Sequence, residues 1–185
     1  VLVHYRNFTK GYFRIVKMDK KIKEETGTDS WNDTYWQRLL QLPDYTSKEY
    51  NLPATNDYQD HRVEIALDAL PVGEYALIAS SDKNFGLKSN ALAVQYFYVS
   101  DIAYLNNGGN YYVVSLSTGA PLAAAKVNLW QQAYTNQNNR TLARTSISFI
   151  TDKNGFFSFK DSSKLRPGHS YFLDVSFGND RLFLD

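Results

Sequence analysis

Three histidines, a knot of carboxylates and an aromatic triplet are the residues here whose chemistry could serve a function. His4, His61 and His169 lie far apart, and none sits in a His-Glu-x-x-His or other ligand-spaced pattern. They read as strand-edge or surface histidines. Asp57, Asp60 and Glu64 are close in sequence, but a glycosidase needs two carboxyls opposed across a cleft, and these share one short stretch. Asp152-Lys153-Asn154-Gly155 supplies too few oxygen ligands for Ca²⁺ by itself. Solvated turn carboxylates account for both. No nucleophile elbow or dinucleotide fingerprint occurs, and Gly108-Gly109 reads as a hairpin turn instead of a phosphate loop. Trp31, Tyr35 and Trp36 remain, an aromatic face at near-helical spacing that could meet a neighbouring domain or partner.

Bulk composition narrows the classes further. The chain has 185 residues, 43% hydrophobic, with a formal net charge of +1. A real core is within reach, and no basic field exists to track a nucleic-acid backbone. Cysteine is absent, which removes a thiol nucleophile, a thiolate metal site, a disulfide and any cysteine-derived thioester. No apolar run is long enough for a membrane-spanning helix. The sequence opens on the strand-like Val1-Leu2-Val3-His4-Tyr5, without an initiator Met or a signal peptide, and reads as a piece of something longer.

The elements that must position these residues are mostly strands. Tyr12 to Met18, His61 to Leu67, Glu74 to Ser80 and Ala91 to Val99 are short β-type runs, and the last, being the longest apolar run, is expected to be buried on both faces. From an Asp29-Ser30 N-cap, Trp31, Tyr35, Trp36, Leu39 and Leu40 predict a short amphipathic helix over about 30–41, ended by Leu42-Pro43. Its flanks, 20–28 and 44–60, read as loops. The helix is expected either to cover an open end of a sandwich or to dock its Trp/Tyr face on a partner. After Ser100-Asp101 a fresh set of strands begins. Within it, Thr118-Gly119-Ala120-Pro121 and Thr151-Asp152-Lys153-Asn154-Gly155 are turns, the second read as a tight hairpin with positive φ at Asn154-Gly155. The fold class is therefore all-β: two tandem immunoglobulin-like sandwiches, 1–100 with an insertion at 20–60, and 101–185.

The stretch from Asp57 through Leu70-Pro71-Val72-Gly73-Glu74-Tyr75-Ala76-Leu77-Ile78-Ala79 resembles the second macroglobulin domain of bacterial alpha-2-macroglobulin-like proteins, where "L-P-x-G-x-Y-x-L-x-A" closes a β-sandwich. Tyr5-Arg6-Asn7 and Tyr12-Phe13-Arg14-Ile15-Val16 are similar to that domain's first strands. Thr118 to Phe159 resembles the next macroglobulin domain. The resemblance implies a large, exported, multidomain chain of the bacterial cell envelope, periplasmic or outer-membrane-anchored, that traps proteases after cleavage of a bait region, often through a thioester. Without cysteine, these residues hold no thioester, so the implied role is non-catalytic scaffold. The implied partners are other domains of the parent chain and, through it, proteases; no cofactor, metal, nucleic acid or membrane contact is expected. Trp31, Tyr35 and Trp36 are the expected inter-domain contacts. The alternative is an immunoglobulin-like binding or adhesion module of a cell-surface glycan-capture protein, since aromatic faces stack on sugars.

Overall fold

A computed structural model describes residues 1–19, 21–22, 32–55, 57–131, 146–159 and 171–184. The chain divides into two compact units, Val1–Phe97 and Tyr98–Asp185. Both are antiparallel β-sandwiches.

In the first unit, β1 (Leu2–Tyr5) pairs with β4 (His61–Glu64) as a two-stranded sheet. Opposite lies a four-stranded sheet in the order β3 (Asp44–Asn51), β2 (Lys10–Met18), β5 (Gly73–Ser80), β6 (Leu92–Val99), the division between units falling inside β6. Side chains alternate across a strand, so β2 and β5 each present two sets. Phe13, Ile15, Tyr75 and Leu77 are buried on one face, the side chains that alternate with Val16, Met18, Ala76 and Ile78. That second face is covered by α1 (Asp33–Leu40), whose Tyr35 and Leu39 pack onto Val16, Met18, Ala76 and Ile78. The insertion is thus a third layer on the sheet face, not a plug at an open end.

Three expectations change here. The helix starts at Asp33 with Asn32 as its N-cap, the Asn32 side chain accepting the Thr34 N–H at 2.9 Å, while Asp29 and Ser30 lie outside the described residues. Residues 44–51, expected as loop, form β3. It is an edge strand whose solvent side carries Tyr45, Ser47 and Glu49, so no apolar run announced it. Finally, β6 is half-exposed along most of its length; β5 is the strand buried on both faces, because it is central and the helix lies over it.

The second unit pairs β7 (Ile102–Asn107), β8 (Asn110–Ser115) and β11 (Phe156–Ser158) in the order β11-β8-β7. Its other sheet runs β10 (Ser146–Ile150), β9 (Lys126–Gln131), β12 (Tyr171–Phe177), β13 (Asp180–Leu184). Val113, Val127, Leu129, Leu173, Val175 and Phe157 form the core between them. Gly108 and Gly109, at φ 56° and 87°, make the two-residue β7–β8 turn expected of them. Thr151–Gly155 differs from expectation. It carries the chain from β10 in one sheet to β11 in the other, so it is a crossover turn instead of a hairpin, and only Gly155 has positive φ.

Candidate functional site

The aromatic triplet resolves into separate roles. Tyr35 is 4% exposed, and its hydroxyl lies 2.6 Å from that of Tyr96 on β6. Burial raises the pKa of both phenols, so this pair stays neutral and acts as a buried hydrogen bond at the helix–sheet junction. Trp36 is half-buried, edge-on to Tyr35 at 5.3 Å, and packs on the same cluster. Trp31 lies outside the described residues. Tyr35 therefore faces its own unit, and Trp36 is shared between core and surface.

Sequence reasoning missed Arg14, the residue that seats the helix. Its guanidinium donates to the Leu40 carbonyl at 3.3 Å and the Leu42 carbonyl at 3.1 Å, pairs with Asp44, and sits 5.2 Å above the Phe85 ring. A cation over the last carbonyls of a helix satisfies orphan acceptors and complements the helix dipole. The sequence signal was a single Arg on the face shared with Val16 and Met18, a face that alternation with Phe13 and Ile15 alone assigns to solvent. Beside it opens a groove of about 370 Å³ lined by Tyr12, Arg14, Asp44, Lys48, Glu49 and Phe85, among others. Its lining carries charges of both signs: Arg14 pairs with Asp44, Lys48 and Glu49 pair with Asp68 and Lys10 outside the groove, and Lys83 lies on the same wall.

Asp57, Asp60 and His61 are engaged in the same way. Asp57 holds the Nε2 of His61 at 2.9 Å and accepts the Gln59 N–H; Asp60 pairs with Arg6 at 2.9 Å. Each carboxyl is pushed below its ordinary value, Asp57 chiefly by the bond from His61 and Asp60 chiefly by that from Arg6. Both are fastened, and neither faces the other across a cleft. His169 lies outside the described residues. Among the described residues no group of three or more His, Asp or Glu could hold a metal ion, and no helix is long and apolar enough to cross a membrane.

The Thr118–Phe159 cassette is likewise architectural. The Thr151 hydroxyl, fully inside, donates to Leu122 O at 2.6 Å and accepts Ala125 N–H at 2.8 Å, tying the two halves together. Asp152 accepts the N–H groups of Asn154 and Phe156, and Asp101 gathers the Ser115 hydroxyl and the Ser117 N–H. In the first unit, Leu70-Pro71-Val72-Gly73-Glu74-Tyr75 has a similar meaning: the buried Tyr75 donates its hydroxyl to the Pro71 carbonyl at 2.9 Å, closing the turn into β5.

With this geometry in hand, the chain is similar over its whole length to two crystal structures of native alpha-2-macroglobulin from Escherichia coli. One spans domains MG0-NIE-MG1, with TM-score 0.65, 13% identity and 57% of that chain covered. The other spans NIE-MG1, with TM-score 0.63, 12% identity and 86% covered. The chain thus spans little more than half of the first. At this identity the likeness is one of fold. No protein-family profile matches the sequence, and no curated protein matches it significantly.

Proposed function

We propose that the two units are non-catalytic scaffold domains of a bacterial alpha-2-macroglobulin-like, protease-trapping protein of the cell envelope. The observation that carries this reading is the fold likeness to E. coli alpha-2-macroglobulin across all 185 residues, at TM-scores of 0.65 and 0.63. It is supported by the way Arg14, Asp57, Asp60, Asp101 and Thr151 are each engaged in holding strands, turns or the helix. The Leu70–Ala79 motif favours the second macroglobulin position for the first unit. In this role the sandwiches are stiff spacers that hold bait and capture regions located elsewhere in the parent. Trp31 and Trp36 are the residues assigned to a neighbouring domain. The test is a trapping assay on the full-length protein that carries these domains. Trypsin incubated with it should lose activity on casein while keeping activity on a small chromogenic peptide, and deleting residues 1–185 should abolish that difference. A full-length protein that never shields trypsin, or one that still does after the deletion, sinks the proposal. Replacing Trp31 and Trp36 together by Ala should weaken association with the neighbouring domains without unfolding β2 or β5.

One observation favours the glycan-binding alternative. Trp130, Phe172 and Phe183 lie on the face of the β9-β12-β13 sheet opposite the core residues Leu129, Leu173 and Leu182, with Phe172 and Phe183 stacked at 6.2 Å. Sugar rings stack on such rows. Saturation-transfer NMR with a panel of oligosaccharides decides it, since silence at millimolar sugar removes this reading.

A further inference from the structure

The sequence holds two Asn-Gly pairs, Asn107-Gly108 and Asn154-Gly155. That dipeptide is chemically unstable, because a glycine nitrogen with no side chain beside it can attack the preceding asparagine carboxamide. The fold treats the two pairs differently.

At the second pair the attacking nitrogen is occupied. Gly155 is buried, its N–H donates to Asp152 O at 3.0 Å, and its carbonyl accepts the Val113 N–H at 2.8 Å. A Cβ built on it would lie 2.3 Å from Val113 O, so the backbone there leaves no slack for a rearrangement. Asn154 is also fixed, its N–H donating to the Asp152 carboxylate at 2.8 Å. Closing a ring on the Gly155 nitrogen loses the Asp152 bond and displaces the crossover that carries Phe157 into the core.

The first pair has none of these restraints. Asn107 ends β7, Gly108 opens the two-residue turn into β8, and both are exposed. Neither the Gly108 N–H nor the Asn107 carboxamide has a hydrogen-bond partner among the described residues. Asn107 must leave its extended geometry to bring the carboxamide onto the Gly108 nitrogen. At a hairpin tip that opening costs only the closing Asn107–Asn110 pair. The tip is tied to the end of β11 through Gly109 O, which accepts the Ser158 hydroxyl at 3.2 Å and the Phe159 N–H at 3.3 Å.

We propose that Asn107 is a site of spontaneous deamidation and isoaspartate formation, and that the fold protects Asn154 from the same reaction. The Gly108 nitrogen bonds to Asn107 Cγ, the Cγ–Nδ2 bond breaks, and the Gly108 proton leaves with the departing amide as ammonia. Water then opens the cyclic imide. Attack at the side-chain carbonyl gives aspartate, and attack at the main-chain carbonyl gives isoaspartate, with the chain intact in both. Either product replaces an amide with a carboxylate and takes the formal net charge from +1 to zero. Isoaspartate also inserts a methylene into the backbone. The two-residue turn then no longer closes on Asn110, and Gly109 loses its hold on Ser158 and Phe159. This modification stands independently of the scaffold reading.

The experiment is a timed incubation of the folded chain at mildly alkaline pH, with peptide mapping by mass spectrometry at both pairs and isoelectric focusing of the intact protein. Asn107 should convert at least about tenfold faster than Asn154. In urea that unfolds both units the two rates should come within about twofold of each other, since the protection of Asn154 is then gone. An Asn107 that stays intact in the folded chain overturns the proposal, as do comparable rates at the two pairs or a difference that persists in urea. Asn107→Gln should slow the acidic shift in focusing, and a shift at the unchanged rate also overturns the proposal. In the isoaspartate-containing protein, amide exchange at Phe159 should be about tenfold faster than in the fresh protein, and equal exchange overturns the loosening of the tip.

Discussion

Gly155 and Gly119 share a φ of +70°, but their surroundings differ, and the pair isolates a steric effect from a conformational one. A Cβ at Gly119 meets nothing within 4 Å. Gly119→Ala therefore costs only the left-handed penalty, about 1–2 kcal/mol. A Cβ at Gly155 comes 2.3 Å from the Val113 carbonyl oxygen, and backbone there must retreat by at least 3.0 − 2.3 = 0.7 Å. Val113 is held by its own N–H to Gly155 O at 2.8 Å and by Leu122 N–H to its carbonyl at 2.9 Å. Weakening both bonds adds about 2 kcal/mol to the same penalty, so Gly155→Ala should destabilise the second unit by about 3–4 kcal/mol. The assay is urea unfolding read at the Val113 and Leu122 resonances, because two units need not unfold together. A Gly155→Ala midpoint corresponding to a loss within about 0.5 kcal/mol of Gly119→Ala would refute the steric reasoning.

Further outcomes follow from the same contacts. Thr151→Val removes a buried hydroxyl that bridges Leu122 O and Ala125 N–H and should cost about 2–3 kcal/mol, with Thr151→Ser restoring most of it, read by the same unfolding experiment. Leu39→Ala, at a fully buried site under α1, should cost the first unit about 2–5 kcal/mol while leaving Val113 exchange unchanged. Arg14→Met should raise amide exchange through the last turn of α1 before β2 or β5 loosens, since the helix end loses its Leu40 and Leu42 carbonyl partners. Asp101 is held below its ordinary value of 3.8, chiefly by the Ser115 hydroxyl and then by Ser117. A depressed folded-state pKa contributes stability that is full above the unfolded value and lost as pH falls through the folded one. The Ser117 amide resonance should therefore titrate below pH 3.8, and Asp101→Asn should abolish that step.

What was legible in the sequence follows from how locally each feature is encoded. Val63 and Ile65 with Arg62 and Glu64 announce a half-buried strand because one face meets water, and Gly108-Gly109 announces a two-residue turn because nothing else adopts those angles easily. Strand β3 was illegible because Asp44–Asn51 carries its information in its partner: the ladder with β2 fixes it, not its own apolar pattern. Thr151–Gly155 was misread for a related reason. Its Asp-anchored hydrogen bonds and Gly155 specify a tight turn, but whether the next strand returns to the same sheet is settled by Phe157 burying against Tyr111 in the other.

The aromatic insertion is the case where local and tertiary signals pull apart. Trp31, Tyr35 and Trp36 at helical spacing look like a face seeking a partner, and the spacing alone cannot say whose face it meets. The deciding information lies on β2 and β5, where Val16, Met18, Ala76 and Ile78 would form a bare apolar surface without a cover. A four-stranded sheet that is apolar on both faces needs two covering layers. The two-stranded β1–β4 sheet supplies one and α1 the other, so a sandwich alone could not bury this sequence.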